Sequence, residues 1–164
     1  MKFFYAVLLL VCHCSWSQTD DRTQIDNMIT SWHRAAAEAK FDVYFSHFTD
    51  NAVFIGTDPT ENWNLKSFKE FSKPFFDRGR AWNFRSIERN IYLSDDGKTA
   101  WFDELLDTRN MKLCRGSGVA RKIDGSWKIA HYVLSMTIPN DNTLEVVNNK
   151  SAFDEALIKT LKSR

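Results

Sequence analysis

The chain has 164 residues, with 22 Lys and Arg against 21 Asp and Glu and a formal net charge of +1. That balance, without any basic stripe, excludes a nucleic-acid or anionic-membrane binder. The length suits one domain with a substantial core, and no repeat, low-complexity tract or Pro/Gly/Ser linker divides it.

The first element is a leader rather than part of the fold. Lys2 supplies a positive start, Phe3 to Cys12 is an apolar run, and Ser15-Trp16-Ser17 sets small residues beside a cut before Gln18. This pattern predicts a secretory signal peptide over 1–17, too short to span a membrane. A lipoprotein would be anchored at Cys12 or Cys14, but Val11 and His13 precede them where a small residue is required. Cleavage removes Lys2 and leaves 21 basic against 21 acidic residues. The mature chain is then expected to be secreted or periplasmic, with no membrane association. Cys114 remains alone, so no intramolecular disulfide is expected. A reactive thiol and an intermolecular bridge are open readings, but a small buried residue is favoured, because no His or Cys lies near it in sequence.

After the leader, Asp20 is placed to cap a helix whose apolar positions Ile25, Met28, Ile29, Trp32, Ala35 and Ala36 recur at helical spacing. A break near Lys40 leads to a short helical piece over Phe41 to Phe48, and Ala52 to Gly56 predicts a strand. The loop that follows, within FIGTDPTENW, gathers Asp58, Glu61 and Trp63 around an Asp-Pro turn. Asn64 then caps an amphipathic helix carrying Leu65, Phe68, Phe71 and Phe75. From Trp82 onward the period becomes two. Turn signals at Asp95-Asp96-Gly97 and Asp124-Gly125 separate four strands of an antiparallel meander. Pro139 ends the sheet, and a C-terminal helix capped by Ser151 is expected, with Asp154 in its first turn.

Helices first and a meander last define an α+β class, the helices lying on one face of the sheet. Gly116 and Gly118 suggest a bend that curls the sheet into a cone with a cavity. A two-residue turn at Asn110-Met111 would set Glu104 opposite Ser117. A three-residue loop at Ile123-Asp124-Gly125 would set Ser117 opposite His131. One face would then collect Phe102, Glu104 and Leu106, with Arg115, Ser117, Val119 and Arg121, and with Trp127, Ile129, His131 and Val133. The other face would hold Trp101, Asp103, Leu105, Lys128, Ala130 and Tyr132. A carboxylate, an imidazole and a guanidinium on an apolar wall suit either a small-molecule pocket or a buried structural pair of Glu104 and Arg115 with His131 beside it.

The segments AAAEAKFDVYFSHFTDNAVFIGTDPTENW, AWFDELLD, RGSGVARK and GSWKIAHYVLSMTIPND resemble the SnoaL-like branch of the nuclear transport factor 2-like superfamily, over about residues 24 to 141. The resemblance implies a cone-shaped α+β barrel, often dimeric, with a pocket between curved sheet and helices. It implies a domain at 18–140, followed by a C-terminal extension at 141–164. It implicates Trp32, Asp58, Glu61, Trp63, Glu104, Arg115 and His131 as pocket or rim residues. Three functions follow as expectations. One is an exported binder of a small, partly apolar molecule, with Phe54, Trp82, Phe102 and Ser117 also lining the site. Another is a metal-independent lyase, isomerase or hydrolase with His131 as general base, Glu104 orienting it or acting as the acid, and Arg115 holding an anionic oxygen. The third is a dimeric interaction module built on Trp101, Leu105 and Tyr132. No cofactor is implied, and the four His lack metal-ligand spacing.

Overall fold

A computed structural model describes the backbone of residues 2–164 and side chains from Asp20 onward. The expected leader at 1–17 and its cut before Gln18 therefore lie outside the described side chains. In chain order the elements are helix α1 (Lys2–Ala37), helix α2 (Phe41–Ser46), strand β1 (Phe48–Ile55), the short strand β2 (Asn62–Asn64) and helix α3 (Leu65–Asp77). They continue with β3 (Phe84–Leu93), β4 (Thr99–Thr108), β5 (Lys112–Ile123), β6 (Ser126–Met136), a single 3-10 turn at Asn140–Asn142, and helix α4 (Thr143–Lys162).

One six-stranded sheet has the order β2-β1-β6-β5-β4-β3. The meander β3 to β6 is antiparallel throughout, whereas β1 joins β6 in parallel, Phe54 opposite Tyr132. The sheet is curved but does not close, and α1 to α3 cover its concave face, giving the cone-shaped α+β architecture. The helical stripe of α1 is the reason: Ile25, Ile29, Trp32, Ala35 and Ala36 are all at most 2% exposed. They meet Phe48, Phe68, Phe102, Ile129 and Tyr132 in a single core. Asn64 caps α3 as expected, its side chain accepting from Ser67 N at 2.9 Å.

Two expected helix starts are corrected. Asp20 lies inside α1, where it accepts from Gln24. Ser151 lies inside α4, its hydroxyl turned back onto Val147 O, because the helix already begins at Thr143.

Both hairpins also differ from expectation. Between β4 and β5 the loop has three residues, so Thr108 faces Lys112 and Glu104 faces Gly116. Thr108 Oγ1 holds this loop by accepting from Met111 N and donating to Lys112 O, while Lys112 adopts φ 59°. Between β5 and β6 the loop has two residues, Asp124 and Gly125, both at positive φ as a type I′ turn requires. Ile123 therefore faces Ser126. Each loop differs by one residue, and one residue reverses a strand's faces. β5 consequently turns Cys114, Gly116, Gly118 and Ala120 inward, and Arg115, Ser117, Val119 and Arg121 outward. A bulge between Val119 and Ala120 shifts the phase of β6 as well. Trp127 and Ile129 point inward as expected, but beyond the bulge Tyr132 and Leu134 are buried instead of His131 and Val133.

Candidate functional site

β4 carries Glu104 into the middle of the core, where its side chain has no exposure at all. A bare carboxylate there would be untenable, so the surrounding elements supply donors. From α1, His33 Nε2 donates to Oε1 at 2.8 Å; from β6, the Tyr132 hydroxyl donates to the same oxygen at 2.9 Å. From β3, Arg89 donates to Oε2 through Nε at 3.1 Å and Nη2 at 3.0 Å. The remaining Arg89 nitrogen, Nη1, reaches Asp26 Oδ1 at 2.7 Å and Thr30 Oγ1 at 3.0 Å on α1. Burial pushes the Glu104 carboxyl upward, but the His33 hydrogen bond, the Arg89 charge and the Tyr132 hydroxyl outweigh it, leaving the group below its ordinary range. The Tyr132 phenol moves far the other way, through its own burial and the adjacent carboxylate.

This cluster replaces the expected grouping of Glu104, Arg115 and His131. Arg115 lies on the outer face, its side chain 57% exposed and 3.9 Å from Asp103. His131 is half-buried on that same outer face, opposite Val119. The buried ion pair does exist, but its partners are Arg89 and His33. His33 was legible as a member of the core stripe, four residues beyond Ile29 and eight beyond Ile25. Arg89 carried no such signal, because a bulge between Ser86 and Glu88 resets the alternation of β3.

With Nε2 donating to the carboxylate, His33 Nδ1 is left buried without a partner among the described residues. His33 is also among the residues edging a groove of about 650 Å³ between α1 and β3, with Asp26, Thr30, Arg34, Phe84 and Arg89. A carboxylate-oriented imidazole with a free second nitrogen can accept a proton from a group lodged beside it.

A second cavity of about 630 Å³, lined by many aromatic side chains, lies between α3, the β1–β2 loop and the β4–β5 hairpin. Its wall is a series of nearly parallel rings. Phe54 stacks on Phe68 at 4.1 Å, Phe68 on Trp63 at 5.6 Å, Trp63 on Phe71 at 4.5 Å, and Phe68 on Trp82 at 5.9 Å. Of the residues expected in the pocket, Phe54, Glu61, Trp63 and Trp82 line this cavity. Glu61 is positioned by its own loop: Oε2 accepts from Asp58 N at 3.2 Å and presses against Gly56. Asp58 instead stabilises the turn, accepting from Thr60 Oγ1 at 2.5 Å and from Thr60 N at 2.8 Å, and those two bonds hold its carboxyl down. Trp32 and Phe102 are packed into the core behind the cavity, and Ser117 points to the outer sheet face. Arg80 and Arg109, which sequence reasoning passed over, border the cavity from two loops.

A family model for the SnoaL-like domain matches residues 25–139, most of the chain, so the chain belongs to the SnoaL-like family. Solved structures agree on the fold. A nuclear transport factor 2-like protein of unknown function from Pseudomonas putida is 13% identical, with a TM-score of 0.63 over 76% of this chain and 92% of that one. A protein from Novosphingobium aromaticivorans, provisionally assigned as a scytalone dehydratase, is 12% identical, with a TM-score of 0.66 over 76% and 89%. One from Streptomyces avermitilis, provisionally assigned as a dehydratase of the nuclear transport factor 2-like family, is 15% identical, with a TM-score of 0.61 over 74% and 99%. No curated protein matches.

Proposed function

We propose that this chain binds a small, planar, largely apolar molecule in the cavity walled by Phe54, Trp63, Phe68 and Trp82. The observation that carries this reading is the ring series beside an open volume of about 630 Å³, which lies within the range of small-molecule pockets. N-phenyl-1-naphthylamine, a neutral planar dye that brightens in apolar surroundings, tests it. Saturable binding is expected, weakened about tenfold in Trp63→Ala, which removes one large stacking face. No saturation, together with no thermal stabilisation by any of a panel of planar apolar compounds, would rule the reading out, since a ligand bound only by the folded chain must stabilise it.

The same proposal places the protein outside the cytoplasm, on the leader pattern of residues 1–17, and as a homodimer through the outer sheet face. There Tyr92 and Trp101 stack at 5.8 Å while 42% and 49% exposed. Finding the chain only in the cytoplasmic fraction, at the intact mass of the uncleaved sequence from Met1, would remove the first claim. A monomeric mass by light scattering at high concentration would remove the second.

The free Nδ1 of His33 favours a second reading, metal-independent acid–base catalysis in the α1/β3 groove, with Glu104 orienting the ring. Any turnover found should then fall at least about a hundredfold in His33→Gln. Equal rates in the two proteins would dismiss it.

A further inference from the structure

The binding reading leaves open what distinguishes one planar molecule from another. The aromatic wall is indifferent to this, so the polar groups at the cavity decide. Three ionisable side chains border it: Glu61, Arg80 and Arg109. Glu61 is committed to its own loop through Asp58 N. The two arginines are not committed to anything. Most other arginines of the fold are engaged: Arg22 on Ile91 O, Arg78 on Pro74 O, Arg85 on Asp107, Arg89 on Glu104 and Arg115 near Asp103. The guanidinium groups of Arg80 and Arg109 have no hydrogen-bond or ion-pair partner among the described residues.

Their backbones, by contrast, are held firmly. Arg80 follows the end of α3 in a Schellman arrangement: Gly79 N donates to Phe76 O at 2.9 Å and Arg80 N to Phe75 O at 3.2 Å. Gly79 takes the left-handed conformation this closure needs, at φ 69°. Arg109 is the first residue of the β4–β5 loop, whose shape Thr108 fixes through Met111 N and Lys112 O. Two anchored positions thus present two uncommitted guanidiniums to one aromatic cavity. A guanidinium presents paired N–H donors in a plane that matches a carboxylate or sulfonate.

We propose that the ligand of this cavity is an organic anion, a planar apolar body ending in an oxyanion that Arg80 and Arg109 bind at the cavity rim. This rests on the aromatic cavity being the binding site, and the test separates the two claims. The probes are N-phenyl-1-naphthylamine and its sulfonated counterpart 1-anilinonaphthalene-8-sulfonate, which share a planar body and differ in charge. In the unaltered protein at low salt the sulfonate should bind roughly tenfold more tightly than the neutral dye, the scale of one or two charge-assisted bonds at a partly exposed site. That preference should shrink in 0.5 M NaCl as screening increases. In the double variant Arg80→Ala/Arg109→Ala it should vanish while the neutral dye still binds within about twofold, which also reports that the variant is folded. If the neutral dye saturates but the sulfonate shows no preference, or keeps it in the double variant, the anion proposal is wrong and the cavity reading survives. If neither dye binds, both fall together.

Discussion

Glu104→Ala should be the most damaging single substitution in the core, lowering stability by about 3–5 kcal/mol, the cost of breaking a buried ion pair from one side. The reason lies in what it leaves behind. Arg89, with its side chain 7% exposed, would keep a buried charge with only Asp26 and Thr30 for company. His33 and Tyr132 would lose their acceptor in the same stroke. For a domain of this size the melting temperature should drop by roughly 10 °C or more. Glu104→Gln keeps the shape but turns an amide N–H toward donors, so it should fall between the two.

The pH dependence follows from the same cluster. Glu104 is held below its ordinary range in the folded chain, so the unfolded chain takes up this proton first as pH falls. The carboxylate's contribution is complete above the ordinary carboxylate value and is lost as pH falls through the lowered folded value. Chemical denaturation measured across the acid range should show a stability slope that Glu104→Gln flattens. An unchanged slope, or a melting temperature within a degree or two of the original in Glu104→Ala, would mean that the cluster does not hold the core.

Gly118→Ala should rank second, at about 3 kcal/mol, through overpacking rather than loss of contact. A Cβ built at Gly118 would lie 2.6 Å from His131 O and 2.6 Å from the edge of the Phe102 ring. The carbonyl belongs to β6 beside the bulge and cannot rotate away as a side chain could. β5 and β6 would have to separate at the point where β6 changes phase. Gly116→Ala meets mainly the Tyr132 hydroxyl and Glu104. It should therefore disturb the buried cluster more than the strand pairing. Comparing urea midpoints of the two variants checks the order; a Gly118→Ala protein as stable as the original would contradict the close approach described.

Much of the architecture is legible in local pattern. The stripe of α1, the Asn64 cap and the four strands of the meander each depend on neighbours a few residues apart. Register is another matter. The β4–β5 loop gains its third residue because Lys112 takes a left-handed conformation that its side chain does not advertise. The bulge at Val119 and Ala120 leaves no mark in composition either. Those two features moved Arg115, Ser117 and His131 off the face where alternation alone places them. Glu104 kept its place because β4 is regular from Thr99 to Thr108. Among the aromatics, Trp63 was recognisable from its loop, whereas Trp82 was expected to open the first meander strand, which begins at Phe84. Arg80 and Arg109 were not recognisable, since an arginine in a turn ordinarily signifies only solubility.

The parallel pairing of β1 with β6 bears on the order of assembly. The meander can zip up through hairpins between adjacent strands, but β1 must wait for the last strand of the chain, and it brings Phe54 to Tyr132 across most of the domain. Such long-range closure is entropically late. The aromatic cavity, which needs Phe54 on β1 facing Phe68 on α3 and Met111 on the β4–β5 loop, therefore comes into existence only when the fold is finished. An incomplete chain would have a sheet but no aromatic cavity, so the proposed binding would report on completion of folding itself.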